Sequence, residues 1–342
     1  MPVIARRRQQ NECAVHPRAP WLSSTMGGRA GVQVGRLRQL GRSVGLATVT
    51  ALLVAGCATN AGPPQRSDAA KDAPSSRATG QATKVSKIVV FIVENHSLDQ
   101  MRDQMPFTYG LASTYGRATG YAAMTHPSLP NYLAIVSGST QGVTDDRNPE
   151  VRALHGPTVL GQAVRAGHTA AVYADGMPGK CALTDGGSRY AVRHNPWTYF
   201  LDERSLCRQY DVPLDALSAA ASRARLPTVS LVIPNLCNDA HDCSLASADA
   251  WLSNQVTRLL KGPDWKSGHL TIVVTADEDD RHHGNHVLTM VANPALHGVV
   301  VTKPLSHLSL SRSLSEVSGS VPLNRADGAP SLLGAFGLKT AS

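Results

Sequence analysis

Four short runs of β-branched and aliphatic residues constrain the fold most, because each run ends abruptly in polar residues. The first, Lys87–Val93, stops at Glu94. Strands that are buried on both faces of a parallel sheet read as continuous apolar runs, whereas half-exposed strands alternate. The pattern therefore predicts a parallel sheet covered on both sides. The other three runs are residues 169–174, 227–233 and 270–275.

Helix-like segments lie between these runs, at residues 158–166 and 248–260. An alternation of strand and helix is typical of an α/β fold. Further strands are expected at residues 287–292 and 299–302. Since no internal repeat or second linker interrupts residues 85–342, we predict one domain with a mostly parallel central sheet and helices on both faces.

The formal net charge of +8 belongs to the beginning of the chain. Residues 1–56 hold eight Arg and one Glu, and the remaining 286 residues hold 25 basic and 24 acidic side chains. Nucleic-acid binding usually needs a concentrated Lys/Arg surface that displaces counterions from phosphates. We therefore expect no nucleic-acid partner, and oligomeric state is not readable from the sequence.

Residues 1–56 have the pattern of an export signal. Arginines precede an apolar run at residues 44–55, which is shorter than the roughly 20 residues that a membrane-spanning helix needs. The segment Leu-Val-Ala-Gly-Cys57 resembles a bacterial lipobox, so Cys57 is expected to be lipidated; an ordinary signal peptide with a chance cysteine is the alternative. The protein is thus predicted to be exported and anchored to the outer face of the cytoplasmic membrane, or secreted. The residues before Met26 show no pattern, as expected if the start codon is assigned too far upstream.

Residues 57–84 are rich in Ala, Ser, Gly and Pro, a composition that predicts a flexible tether before a domain at 85–342. Four cysteines follow Cys57, and an even number in an exported chain predicts two disulfides. Four cysteines allow three connectivities of two disulfides each. We favour the one that closes one short loop and one longer loop. Metal binding is the alternative, but the cysteines form no Cys-x-x-Cys pair. The favoured pairs are Cys181–Cys207 and Cys237–Cys243.

Two acidic pairs follow predicted strands directly, Glu94-Asn95 and Asp277-Glu278. The carboxyl ends of parallel strands share one edge of a sheet, where the working groups of α/β proteins gather. Carboxylate and amide oxygens suit a hard divalent cation. The pairs therefore predict a metal site, although solvated acids without a ligand are also common in such loops.

Ser128 lies between two prolines, Pro127 and Pro130, ahead of an apolar run at residues 133–136 that predicts a helix. A serine hydroxyl is a poor nucleophile unless a base or a metal stabilises its alkoxide. Ser128 is therefore a candidate nucleophile beside the predicted metal, and Thr125 is the nearest alternative. Prolines around a serine also occur in many ordinary loops.

Histidines are numerous, thirteen in all. A single histidine is more often structural or solvated, but as a set they fit phosphate recognition, proton donation to a leaving oxygen, or a second metal. Those near the polar clusters are His126, His194, His241, His282, His283, His286 and His307.

Five segments, taken together and in order, resemble the phosphoesterase family of bacterial acid phosphatases and nonspecific phospholipases C, a branch of the alkaline-phosphatase superfamily. The resemblance covers roughly residues 85–310. Two departures affect the expected substrate: Ala276 stands where relatives commonly have Trp, and residues 281–286 replace a glycine-rich loop. The five segments are residues 93–97, 125–132, 193–197, 233–242 and 275–280.

The resemblance implies an alkaline-phosphatase-like fold and a phosphoryl transfer in which Ser128 forms a phosphoserine that water then hydrolyses. It also implies one divalent metal, with a second as an option. His241 would protonate the leaving group, and His126 and His194 would contact phosphate or the groups around it. The implied ligands are Glu94, Asn95, Asp277 and Glu278 for the first metal, with Asp239 and His286 as candidates for the second.

The expected function is that of an extracytoplasmic, metal-dependent acid phosphatase acting on phosphomonoesters, with phosphoinositides among the candidate substrates. A phosphodiesterase or phospholipase C with the same nucleophile and metal is the first alternative. A noncatalytic surface lipoprotein that keeps the fold as a binding module is the second.

Overall fold

The computed structural model describes residues 84–341, in which eight strands form one sheet and two form a small parallel pair. The order across the large sheet is β5-β4-β6-β1-β7-β8-β2-β9, and β3 pairs with β10. The strands are β1 Lys87–Val93, β2 Gly116–Ala118, β3 Tyr121–Ala122, β4 Ala170–Ala174, β5 Asp211–Pro213, β6 Val229–Ile233, β7 Leu270–Ala276, β8 Thr289–Ala292, β9 Val299–Val301 and β10 Leu305–Ser306.

The sheet is mostly parallel, as predicted. Strands β5, β4, β6, β1 and β7 run in one direction, and β8 is antiparallel to both of its neighbours. Residues 88–93 of β1 are all fully buried. Because successive side chains of a strand point to opposite faces, the centre of the sheet is covered on both sides.

The helices form two packed groups, in agreement with a layer on each side of the sheet. Helices α3, α4, α9 and α10 contact one another, and α7 packs with α1, α2, α6 and α8. The helices are α1 Leu98–Gln104, α2 Pro106–Thr114, α3 Ser128–Ser137, α4 Val159–Arg165, α5 Arg204–Tyr210, α6 Asp215–Ser222, α7 Leu245–Lys261, α8 Pro263–Lys266, α9 His307–Val317 and α10 Leu332–Ala335, with single 3-10 turns at Val192–His194, Pro196–Tyr199, Leu201–Glu203 and Asn324–Ala326.

Helix α3 begins earlier than its apolar run suggests. From the apolar run at residues 133–136 the sequence predicts a helix that begins near Asn131, whereas the structure starts it at Ser128, with Pro127 as the N-cap. Pro130 lies in the first turn, where the N–H that proline lacks would have no partner within the helix. Ser128 is therefore held by regular helix geometry and not by a stiff loop.

Both favoured disulfides are present, Cys181–Cys207 and Cys237–Cys243. The predicted export signal and tether, including Cys57, lie outside the described residues, so they stay predictions. Within residues 84–341, no helix combines the length and the apolarity that crossing a bilayer requires.

Candidate active site

The carboxyl ends of β1 and β7 bring the two acidic pairs together. These strands are neighbours in parallel register, with Val93 beside Ala276. The Asp277 N–H donates to the Val93 carbonyl at 3.0 Å, and the Glu94 N–H donates to the Asp239 carbonyl at 2.8 Å. Backbone bonds thus fix the starting points of three acidic side chains at one edge of the sheet.

Ser128 reaches this edge from helix α3. Its hydroxyl donates to Glu94 Oε2 at 3.0 Å, and the Asp277 carboxylate lies close to it. The serine is only 4% exposed. Three segments that lie far apart in the sequence therefore meet around one hydroxyl group.

His194 completes a buried cluster that we name the acidic centre. Its Nε2 lies 3.3 Å from Glu94 Oε2, and its Nδ1 lies 3.2 Å from Asp239 Oδ2, but neither contact has hydrogen-bond geometry. Among the described residues, both ring nitrogens and the Oδ2 atoms of Asp239 and Asp277 have no hydrogen-bond partner. The acidic centre consists of Glu94, Ser128, His194, Asp239 and Asp277.

The donor set of the acidic centre fits a divalent cation. Glu94, His194 and Asp239 each offer a ligand atom, and these atoms all lie within 4.8 Å of one another. Buried polar atoms are normally paired, so several unpaired ones in one place call for a missing partner. A cation bound by oxygen and imidazole ligands would satisfy them together.

Electrostatics support the same assignment. Burial, followed by repulsion from Asp277 and Asp239, holds the pKa of Glu94 well above its ordinary value. Burial likewise raises the pKa of Asp277 to about 6 and that of Asp239 to about 7, while burial and the charge of Arg193 hold the pKa of His194 well below its usual range. Like charges that are buried together disfavour ionisation, and a cation beside them reverses this effect.

Tyr132 is a site residue that the sequence analysis did not single out. Its hydroxyl donates to Glu94 Oε1, and its ring stacks on His194 with centroids 5.3 Å apart and planes inclined by 9°. Because Ser128 and Tyr132 are four residues apart on α3, they share one helix face. That spacing is the signal from which Tyr132 was predictable, once the helix was known to begin at Ser128.

Glu278 belongs to a second cluster beside the acidic centre. Glu278 Oε2 accepts from Asn131 Nδ2 at 2.9 Å, and its Oε1 lies 3.0 Å from His126 Nδ1. The other ring nitrogen of His126 lies 3.1 Å from Asp279 Oδ1. Burial raises the pKa of Glu278 to about 9. We name Glu278, Asn131, His126 and Asp279 the Glu278 group.

The other two residues that were predicted as metal ligands are placed differently. Asn95 contacts the acidic centre through its backbone N–H, which donates to Asp277 Oδ1 at 3.0 Å. His286 is exposed and lines a surface cavity with Ser97 and Thr119. No described contact joins His286 to Asp239, so the structure does not gather these two residues into one site.

His241 and Arg193 lie next to the acidic centre and are more exposed. The backbone N–H of His241 donates to Asp239 Oδ1 at 2.8 Å. The centroid of the His241 ring lies 6.0 Å from that of the His194 ring. Arg193 Nη2 donates to His241 Nε2 at 3.1 Å, and His241 Nδ1 contacts Asp242 Oδ1 at 2.8 Å. A guanidinium and an imidazole thus lie beside His194 and Asp239 at the more open side of the acidic centre, an arrangement suited to an anionic substrate.

The model of the phosphoesterase family matches residues 101–319 of this chain. The chain belongs to the phosphoesterase family. The match runs from within helix α1 to just beyond α9 and includes Ser128, His194, Asp239 and Asp277, whereas Glu94 lies before it. The protein is accordingly a phosphoric ester hydrolase, as the sequence predicted.

Two curated relatives carry phosphatase names. A phosphatidylinositol-3-phosphatase of Mycobacterium tuberculosis is 30% identical over 253 residues, which is 73% of this chain and 82% of the relative. A phosphate-repressible acid phosphatase of Penicillium chrysogenum is 28% identical over 232 residues, which is 63% of this chain but only 55% of that longer protein.

A solved structure confirms the fold class. A Vibrio parahaemolyticus protein of the alkaline phosphatase superfamily aligns over 75% of this chain and 72% of its own, with a TM-score of 0.53 and 11% sequence identity. At that identity the likeness concerns the fold alone, which is the alkaline-phosphatase-like arrangement predicted from the sequence.

Proposed function

We propose that this protein is a metal-dependent phosphomonoesterase that uses Ser128 as its nucleophile. The observation that carries the proposal is the Ser128 hydroxyl, 3.0 Å from Glu94 Oε2, inside a buried cluster whose carboxylate oxygens are partly unpaired. Phosphatase names among the relatives support monoesters as substrates.

Glu94, Asp239, Asp277 and His194 are the residues that would hold the cation. The ligand roles expected for Asn95 and Glu278 stay predictions, as does a second metal. When bound, a divalent cation lowers the cost of forming the serine alkoxide and offsets the negative charge of the phosphate.

In the proposed reaction, the Ser128 oxygen bonds to phosphorus as the bond from phosphorus to the alcohol oxygen breaks. The hydroxyl proton has Glu94 Oε2 as its nearest acceptor. Arg193 is a cation next to His194 at the open side of the site, so it is suited to bind the phosphate oxygens. Water then attacks the phosphoserine, which releases phosphate and restores the serine.

His241 is proposed to protonate the departing alcohol oxygen. Its side chain is 34% exposed, which leaves room for a leaving group of variable size. Asp242 lies at Nδ1 and holds the ring so that Nε2 faces Arg193 and the site. Binding of phosphate to Arg193 would free Nε2 to take up a proton from solvent, which it then donates to the departing oxygen.

The physiological substrate is proposed to be a phosphate ester outside the cytoplasm, with phosphoinositide headgroups among the candidates. The name of the Mycobacterium tuberculosis relative supports this substrate class. Export is supported by the leader pattern at residues 36–57 and by the two disulfides.

The direct test measures metal-dependent hydrolysis and looks for a phosphate bound covalently to the protein. The purified chain is treated with a chelator, assayed on p-nitrophenyl phosphate and on bis-p-nitrophenyl phosphate, and then supplied with single divalent metals. We expect chelation to abolish hydrolysis, one or more metals to restore it, and the monoester to be preferred. Acid quenching during turnover should trap a phosphate on the peptide that contains Ser128. Preference for the bis-ester would instead assign the protein to the diesterases.

A further inference from the structure

The opposite edge of the sheet, where β1, β6 and β7 begin, carries an exposed basic surface. Seven Lys and Arg side chains on four segments of the chain are exposed there. We name them together the basic face. The basic face consists of Lys84, Arg223, Arg225, Arg258, Lys261, Lys266 and Lys339.

Contacts between backbone segments place these side chains side by side. The Val85 N–H donates to the Lys339 carbonyl at 2.7 Å, and Lys87 Nζ donates to the Ala224 carbonyl at 3.3 Å. The Ser86 N–H donates to the His269 carbonyl at 3.1 Å. The chain before β1 thus adjoins the segment before β6, the segment before β7 and the last described residues.

Helices α6 and α7 extend this surface. Both end near the same edge, and a cavity of about 330 Å³ lies between their last turns, lined by Ser222, Arg258 and Lys261 among others. Basic residues at the ends of these helices also lie near the negative ends of the helix dipoles, which keeps them stable without a carboxylate partner.

The charge of the basic face is not balanced locally. Segments 84–87, 222–229, 258–270 and 339–341 contain eight Lys or Arg but a single carboxylate, Asp264, which is paired with Lys87 at 2.6 Å. In the described part of the chain, none of the seven side chains of the basic face forms an ion pair with a carboxylate. Residues 57–342 are nearly neutral in total, so the excess of positive charge on the basic face is a local feature.

We propose that the basic face docks on an anionic phospholipid bilayer. Each basic residue near such a surface strengthens binding by roughly fivefold, so several on one face bind without inserting. Lys84, the first described residue, lies on this face, and Cys57 is only 27 residues upstream. That length of chain spans at most about 90 Å, so a lipid at Cys57 would keep the face close to the membrane.

Docking in this way directs the catalytic rim away from the bilayer. Strand β1 has seven residues, so about 20 Å separates the basic face from the acidic centre. The enzyme therefore acts on phosphate esters in solution or on an opposing surface, and not on lipids of the membrane that carries it.

Sedimentation with vesicles tests the docking. The full chain is mixed with vesicles of phosphatidylcholine, with or without 30% phosphatidylglycerol. The test variant carries Arg223→Gln, Arg258→Gln and Lys261→Gln, and the matched control carries Arg102→Gln, Lys180→Gln and Lys303→Gln. We expect the test variant to lose at least about tenfold in partitioning to anionic vesicles and the control to lose less than about twofold. Equal losses in the two variants would overturn the proposal, as would binding of a DNA duplex in preference to vesicles.

Lysine acetylation with mass spectrometry tests the orientation. On anionic vesicles, Lys84, Lys261, Lys266 and Lys339 should become protected while Lys180 and Lys303 stay reactive. Hydrolysis of p-nitrophenyl phosphate by vesicle-bound enzyme should continue at the rate of the free enzyme. Protection of Lys180 and Lys303 instead, or of no lysine, would show that the basic face is not the docking surface, whatever the outcome for the proposed nucleophile.

Discussion

Two neighbouring clusters of buried acids lie at the rim of the sheet, and they differ in how far they are satisfied. In the Glu278 group, Glu278 accepts from Asn131 and Asp279 accepts three backbone N–H groups, and only His126 Nδ1, which lies 3.0 Å from Glu278 Oε1 without hydrogen-bond geometry, is unpaired. In the acidic centre, the Oδ2 atoms of Asp239 and Asp277 and both ring nitrogens of His194 lack hydrogen-bond partners among the described residues. Acidity alone thus does not mark a working site, whereas unsatisfied donors and acceptors in a closed space do.

The contrast assigns different tasks to the two clusters. Asn131 binds Glu278 and also holds the Met124 and Thr125 N–H groups and the Thr125 carbonyl. It therefore fixes the loop that leads into Ser128. We therefore propose that the Glu278 group positions Ser128 and that the acidic centre activates it.

Removal of the nucleophile should have the largest effect. Ser128→Ala is expected to lower kcat by at least about 10³-fold, because it removes the proposed attacking oxygen, and no other described hydroxyl donates to Glu94 Oε2. The matched control is Ser137→Ala at the other end of α3, whose hydroxyl donates only to the Leu133 carbonyl and to a neighbouring loop carbonyl. Steady-state kinetics with circular dichroism measures both. Full activity of the Ser128 variant would move the nucleophile elsewhere, with Thr125 the nearest candidate.

Replacing one carboxylate in each cluster tests whether the two clusters differ in metal binding and in activity. Glu94→Gln should lower kcat/KM by about 10² to 10³-fold and weaken the bound metal, since it removes a charged ligand. Glu278→Gln should cost about tenfold or less and retain the metal, because an amide can keep one of its two contacts. Metal analysis after dialysis decides between them. Equal metal loss in both variants would place Glu278 among the ligands, as the sequence resemblance implies.

Tyr132→Phe should have a smaller effect that is confined to the acidic centre. The substitution removes the hydrogen bond to Glu94 and keeps the stacking on His194. Loss of such an orienting bond typically costs about 10-fold or more in metal affinity or activity. Titration of metal-free enzyme with metal should show weaker binding at an unchanged unfolding temperature. Unaltered affinity would mean that Glu94 is oriented by its other contacts.

Substitution of Asp211 should have the smallest effect on activity and should make the protein more stable. This buried carboxylate belongs to neither cluster; one oxygen accepts from Asn195 at 2.9 Å and the other has no described partner. Burial raises the pKa of Asp211 to about 8. Above about pH 4 the carboxyl group ionises in the unfolded state but stays protonated in the folded state. The free energy of unfolding therefore falls as the pH rises from about 4 to about 8. Asp211→Asn should therefore raise the melting temperature at pH 7 by about 5 °C and leave it nearly unchanged at pH 4. A gain of equal size at both pH values would exclude ionisation as the cause.

Much of the fold and the centre of the site was predictable because strand ends carry the information. The runs before Glu94 and Asp277 are apolar and predict buried parallel strands. Because the carboxyl ends of such strands lie at one edge of the sheet, the sequence alone predicts that the two acids lie close together. The start of α3 was less predictable, since Pro127 and Pro130 suit a loop as well as a first helical turn. The contact of Tyr132 with Glu94 depends on that start.

Other features depend on long-range placement that a sequence pattern does not contain. His286 is only nine residues from Asp277, yet the loop between them turns outward and leaves it exposed. The basic face is drawn from four separate segments, so the nearly neutral total after residue 56 concealed it. His194 comes from a 3-10 turn without a preceding strand, and only its position within a recognised segment pointed to the site.

The disulfide between Cys237 and Cys243 closes a ring around Asp239 and His241. In a glutathione-buffered compartment this ring would open, and the segment that carries an acid of the centre and the proposed proton donor would lose its covalent closure. We therefore expect a chain that has not yet formed this disulfide to hydrolyse phosphate esters more slowly than the oxidised protein.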